Sequence, residues 1–436
     1  MNIQSTVWQK NCEKIIRGLI YVMIFWLPYS TAAIETTVIL ALLVWIFKAV
    51  LIFYKKYSDR QSKLDLRNSL IFLKEPNRLW IGLFLAICWI SVVANGTRGY
   101  SAGGFFTKTA EWFVIYYLVC DSFREEKQFL FLLKVLFFTA LATAVDGIFQ
   151  YYISHRDFFL GHKIIPGESP TAGFKTPNGL GAFIAGVFPL AWVYLFFKEQ
   201  SVILRAGIFL LNILLLWALL ITACRGAMVA VSVTAAAAFV FLFSRVIANH
   251  KRRALVLFLM SVPLIFLFLI SIQSRNIVNQ HKTISANWRL EIWQESIELI
   301  KNKPMLGYGV NSFMKEFQML RPTLKGVQTK DTPTYAHNCF IQMCFETGLL
   351  GFFVFLGLTV KILKIGIQNF QKFCQNSGDL SLLSLGFLAS FFAMLVHSFF
   401  DNHLYSLQLS TFFWLIAGSV VAIRLNLLKQ EEGHYA

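Results

Sequence analysis

Apolar residues in this chain gather into long, nearly uninterrupted blocks, separated by short polar and basic stretches, from the N-terminal region to about residue 425. Crossing the hydrocarbon core of a bilayer takes about 20 mostly apolar residues in a helix. A helix is the default there, because lipid offers the backbone no other hydrogen-bond partners. The pattern therefore predicts an all-α polytopic membrane protein with about twelve transmembrane helices. They fall near 14–31, 35–54, 78–94, 105–120, 128–149, 178–197, 205–223, 226–246, 254–272, 337–361, 380–399 and 405–424. Between the ninth and tenth lies the longest non-spanning segment, residues 273–336. It is too long for a simple connection, and loops of that length are usually functional. Inside it, "NWRLEIWQESIELIKNKP" repeats Leu290, Trp293, Ile297 and Ile300 at three- and four-residue spacing and ends at Pro304. That spacing predicts an amphipathic helix, read as part of a lid lying on the membrane surface. The expected organisation is helices one to nine over 1–272, the large loop over 273–336, and the last three helices with a tail over 337–436.

Composition agrees with the pattern. Of 436 residues, 56% are hydrophobic and 14% charged, against about 45–50% and 25% in soluble domains. The net charge of +17 does not indicate nucleic acid, which would need a basic face on a soluble module. Most of it sits in short loops, where it sets orientation. The linker 55–78 carries Lys55, Lys56, Arg60, Lys63, Arg67, Lys74 and Arg78, and the stretch 245–253 carries Arg245, Lys251, Arg252 and Arg253. Twelve alternating spans put both on one side, which the positive-inside rule makes cytoplasmic, together with both termini. Loop 273–336 and the Pro-rich loop 150–177 then face outward. The seven cysteines are scattered without a CxxC, which argues against a disulfide framework or a zinc site. The first apolar run reads as an anchor rather than a cleaved signal.

Polar groups at membrane depth are costly and are functional candidates by default; here they cluster on the outer side. Arg225 stands in "ITACRGAMVAV", where almost no loop separates two apolar runs; its plain alternative is a snorkelling arginine. Arg289 lies near the start of the loop helix, and as a surface charge it would pair with Glu291 or Glu295. Lys108 and Lys175 are further outer-side cations, or interfacial anchors, and Asn178 after Pro177 reads as a helix cap. His337 opens the tenth run, where a helix N-terminus disfavours imidazolium and leaves the ring a neutral base. Glu346, farther into that run, is read as structural, with Gly348 and Gly351 admitting a neighbouring helix. Asp401 and Asn402 fall in the turn between the last two runs. Two or three cations with one base on the outer face suit a lipid diphosphate leaving group. Arginine forks match its oxygens, and fixed cations in a water-poor site stabilise charge as it develops. No carboxylate pair or His/Asp cluster in the sequence is placed for a metal, so the cations would do that work.

"YAHNCFIQMCFETGLLG" resembles the signature of the O-antigen ligase and O-antigen polymerase superfamily, in which a loop His-Asn leads into a span bearing Glu and two glycines. "WRLEIWQESIELIKNKPMLGYG", "GFKTPNGLG" and "CRGA" resemble its other outer-side motifs. The resemblance implies glycan transfer from an undecaprenyl diphosphate carrier at the periplasmic face of the bacterial inner membrane, without metal, nucleotide or other cofactor. In the ligases the acceptor is a lipid A-core sugar hydroxyl. The roles implied are diphosphate contact for Arg225 and Arg289 and general base for His337, with Lys108, Lys175, Asn178, Asn338 and Asp401 as substrate-binding candidates and Glu346 orienting the site. An inverting single displacement fits one base and no carboxylate nucleophile. Cys224 departs from the small hydroxyl residue often found there. An O-antigen polymerase or a protein oligosaccharyltransferase would use the same donor chemistry, so these motifs do not separate them. A transporter or flippase would show repeats and a charged path near mid-membrane, whereas the cations here gather at one face.

Overall fold

The computed structural model describes residues 7–58, 73–96, 98–198, 200–246, 280–324, 333–376 and 378–427. A helical hairpin, α1 (Val7–Trp26) and α2 (Thr31–Ser58), is followed by α3 (Arg78–Ala94). Then α4 (Arg98–Gly104) runs through a π-helical turn, Phe105–Thr109, into α5 (Ala110–Ser122). The chain continues through α6 (Glu126–Phe149), α7 (Pro177–Tyr194), α8 (Val202–Thr222) and α9 (Arg225–Val246). The large loop contributes α10 (Gln280–Asn302) and the short α11 (Phe313–Leu320). Last come α12 (Cys339–Asn376), α13 (Gly378–His397) and α14 (Leu407–Ala422). Among the described residues there is no strand beyond one isolated bridge, Arg156 with Lys163.

Among the described residues, six helices, within α2, α6, α8, α12, α13 and α14, are long and apolar enough to cross a membrane; α3 and Arg225–Phe241 of α9 are apolar but shorter. The ninth expected span, 254–272, lies outside the described residues. On α2 the side chains of Ile39, Leu43, Phe47 and Val50 are exposed, as are Ile203, Phe209, Leu210 and Ile213 on α8. Such continuous apolar stripes would be a liability in water and are what a bilayer covers. By contrast α14 is buried from Gln408 onward, and α7 from Leu180 onward. These two form the centre of the bundle, with α13 against α7 and α5 against α14.

Two helices depart from the pattern read in the sequence. The loop helix does not bury the Leu290–Trp293–Ile297 stripe: Leu290 and Ile297 are about half exposed, while Ile292 and Leu299 are fully buried. Ile292, Leu299, Tyr308, Phe313, Phe317 and Phe345 form a second core beneath α10 and α11. Both stripes satisfy helical spacing, and the aromatic residues of α11 and α12 select the one that packs.

The other departure is at Gly348, where α12 is broken (φ 68°, ψ −175°). Gly348 admits no neighbouring helix; it admits the turn 304–309. Tyr308 and Gly309 donate backbone N–H groups to the carbonyls of Phe345 and Glu346, both at 2.9 Å, and Leu349 donates to Pro304 at 2.7 Å. Gly307 and Gly348 both have left-handed backbones, and a Cβ on either would collide with the other segment's backbone. Only glycine fits both demands. Gly351, the second expected contact point, lies instead against the Thr347 side chain of its own helix.

A buried ion cluster ties α1, α2 and α5 together. The Lys48 ammonium lies 2.8 Å from Glu13 and 2.6 Å from Asp121, and Arg124 reaches Glu13 at 2.9 Å. Removing one partner of a buried pair strands the other charge, typically at about 3–5 kcal/mol. Lys48→Ala is therefore expected to lower the thermal unfolding midpoint of the detergent-solubilised protein by several degrees. An unchanged midpoint would show that the cluster does not hold these helices.

Candidate functional site

Arg225 owes its position to a tight reversal. Helix α8 ends at Thr222, Ala223 turns left-handed (φ 52°), and Cys224 caps the next helix with its carbonyl, accepting from Met228 N–H at 3.2 Å. Arg225 is thus the first residue of α9, with its side chain exposed. Close packing across this reversal needs Gly226, where a Cβ would lie 2.5 Å from that of Phe400.

From the other side, α10 presents Arg289 and Trp293 one turn apart. Together with Asn178, Arg225, His397 and Asp401 they line a cavity of about 470 Å³. The Arg289 guanidinium donates through Nη1 to the carbonyl of Phe400 at 2.9 Å, and its Nε is buried without a protein partner. Arg289 pairs with neither Glu291 nor Glu295. Glu295 is taken by Arg321, whose Nε and Nη2 reach its two oxygens at 2.9 and 3.2 Å. Among the described residues, no carboxylate forms a salt bridge with Arg225 or Arg289.

His337 precedes α12 by two residues, in the left-handed region at φ 51°. The cap itself is Asn338, whose Oδ1 accepts the N–H groups of Phe340 at 2.9 Å and Ile341 at 3.1 Å. Two tryptophans of α10 hold the turn. Trp293 donates its indole N–H to the Ala336 carbonyl at 2.8 Å, and the Trp288 ring lies 5.5 Å from the imidazole. Nδ1 of His337 is 3.3 Å from Oδ1 of Asp401, which also accepts the Asn402 N–H at 2.8 Å. Burial alone would raise the Asp401 carboxyl; the His337 hydrogen bond and the nearby imidazoles hold it well below the usual carboxylate range. An ionised Asp401 makes Nδ1 the proton-bearing nitrogen of a neutral His337, which leaves Nε2 with the lone pair. A His–carboxylate pair of this kind can act as a general base.

Behind the cavity, Glu346 accepts the backbone N–H of Asn311 at 2.7 Å and of Phe313 at 3.3 Å, and the Gln342 amide at 3.1 Å. Gln342 in turn bonds Asn402, so Glu346 connects through Gln342 and Asn402 to the Asp401 turn. Lys108 donates to Asn311 Oδ1 at 2.9 Å and belongs to this supporting group. Lys175 is exposed and, like Lys108, is not part of the cavity wall. Asn178 does line the cavity, but the cap of α7 is Thr176, which accepts from Gly179 N–H at 3.1 Å. His397 was not singled out from the sequence. The available signal was "VHSFFDNHLYS", two histidines flanking Asp401 in one short stretch.

Residues 210–356, which contain Arg225, Arg289 and His337, match the family model of the O-antigen ligases. A provisionally named polysaccharide ligase of Rickettsia typhi is 28% identical over 304 residues, covering 66% of this chain and 69% of that protein. A Rickettsia prowazekii protein of the same description is 27% identical over the same length and the same shares. A shorter alignment, 36% identical over 95 residues, joins 20% of this chain to 23% of a Rickettsia bellii protein so named. The chain thus carries an O-antigen ligase segment over residues 210–356, and over 66% of its length it is similar to polysaccharide ligases so named in Rickettsia.

Proposed function

We propose that this protein moves a glycan from undecaprenyl diphosphate to a sugar hydroxyl of the lipid A core, with inversion and without a metal ion. It would act in the bacterial inner membrane with both termini cytoplasmic and the cavity open to the periplasm. The observation that carries this reading is the pair of guanidinium groups, bound to no carboxylate among the described residues, that share a cavity wall with Asp401, the carboxylate partner of His337, which itself stands behind that wall. Two such cations call for an anion of matching geometry, and arginine forks meet diphosphate oxygens bidentately. A volume of about 470 Å³ is within the range of small-molecule sites.

In the proposed reaction, His337 Nε2 takes the proton of the acceptor hydroxyl as its oxygen attacks the anomeric carbon. The bond from that carbon to the diphosphate oxygen breaks on the opposite face. The electron pair goes to the diphosphate, whose growing charge Arg225 and Arg289 stabilise in place of a divalent ion. Asp401 steadies the imidazolium that forms.

Deleting the gene and separating surface lipopolysaccharide on a gel tests the reading. Bare core with carrier-linked polymer accumulating is expected. Core bearing a single repeat would identify a polymerase instead. Purified protein is expected to keep its activity in EDTA; activity lost there and restored by Mg²⁺ would overturn the metal-free step.

A further inference from the structure

Resting on the reading of the donor as a lipid diphosphate, we propose that His397 is a further substrate-contacting residue. It would act as a neutral imidazole that donates its Nε2–H to a diphosphate oxygen held between Arg225 and Arg289. His397 ends α13 and lines the same cavity as both arginines. Its Nδ1 faces away from the cavity, 3.2 Å from Nδ1 of His403, and Nε2 of His403 is 3.0 Å from the Ser398 hydroxyl. On the cavity side, the one partner within reach of His397 Nε2 among the described residues is the Cys224 thiol, at 3.7 Å. A thiol is a weak partner, so the better hydrogen bond at that nitrogen is still to be made.

The chain of three side chains has two complete hydrogen-bonding states with equal numbers of protons. In one, the Ser398 O–H donates to the Met394 carbonyl, at 2.9 Å. Ser398 Oγ then accepts from His403 Nε2–H, His403 Nδ1 accepts from His397 Nδ1–H, and His397 Nε2 presents a lone pair. In the other, the Ser398 O–H donates to His403 Nε2, His403 Nδ1–H donates to His397 Nδ1, and His397 Nε2–H points outward as a donor. A lone pair facing an anion repels it, while an N–H attracts it. An anion between the arginines therefore selects the second state. Neither state needs an imidazolium, and burial together with the neighbouring His397 pushes His403 down to about 3. A neutral donor suits this cavity, since a buried cation beside two guanidiniums would be disfavoured. Ser398 and His403 touch no substrate; they are positioning residues that fix which nitrogen of His397 carries the proton.

The test uses full-length protein in nanodiscs with a lipid-diphosphate-linked glycan and, separately, undecaprenyl diphosphate as ligand. His397→Ala is expected to lower kcat about a hundredfold, the scale of losing one preorganised donor. His397→Gln, which still carries an N–H, is expected to recover part of that loss. In wild-type protein with ¹⁵N-labelled histidine, undecaprenyl diphosphate is expected to turn His397 to the Nε2–H form and His403 to the Nδ1–H form, the two signals being assigned with His397→Gln. Unchanged ring-nitrogen signals on binding, or full activity of His397→Ala, would overturn the role of His397. Wild-type protein that binds no undecaprenyl diphosphate would instead overturn the assignment of the donor, a separate result.

Discussion

Replacing His337 by alanine is expected to reduce glycan transfer by about 10²- to 10⁴-fold, the usual contribution of a positioned general base. The protein should still insert and bind donor. The side chain sits in a turn before α12, and the helix cap belongs to Asn338 rather than to His337. Removing the imidazole leaves Asp401 with its Asn402 N–H at 2.8 Å, so the turn between α13 and α14 keeps a local anchor. The loss should fall on kcat, because the proton is taken only as the acceptor attacks. Asp401→Asn is the companion measurement. Its amide can offer N–H as well as oxygen to Nδ1 and so no longer imposes one tautomer; a smaller loss, about 10- to 10³-fold, is expected. Transfer by His337→Ala close to wild type, measured with purified protein, would remove the base from the mechanism.

The apolar runs that predict membrane helices were legible because their signal is local: each run declares its own burial. The break at Gly348 was not. Hydropathy continues through it, and what makes glycine necessary is the turn 304–309, about forty residues earlier in the chain. Arg289 shows the same limit. Glu291 and Glu295 look like partners from spacing alone, yet Glu295 is claimed by Arg321, 26 residues away in sequence. Glu346 reads as a structural carboxylate, but its partners, the Asn311 N–H in the turn before α11 and the Gln342 amide, are not visible from the span alone. His397 was hidden for a related reason. It closes an apolar helix, and nothing in that helix reveals that it faces Arg225. Residue types that suit the chemistry could be read along the chain; which of them meet depends on long-range contacts.

Arginine to alanine at position 225 or 289 is expected to lower transfer by about 10²- to 10³-fold, the effect of removing one fixed donor from developing charge. The two positions should differ in how far lysine rescues them. Arg289 is held by one N–H on the Phe400 carbonyl, 2.9 Å away, while its Nε is buried without a protein partner. An unsatisfied buried donor costs about 1–3 kcal/mol, and a phosphate oxygen arriving there removes that cost. Lysine has no second donor fixed in a plane with the first, so it cannot hold Phe400 and the phosphate in the same geometry. Arg289→Lys should therefore recover little. Arg225 is exposed at the first turn of α9 and makes no salt bridge among the described residues. A flexible ammonium can follow a phosphate from that position, so Arg225→Lys should keep a larger share of activity. Steady-state kcat and KM for the four variants decide the matter. Equal rescue at both positions would mean that the fork of Arg289 is not used, and near-normal transfer by either alanine variant would separate that arginine from the diphosphate.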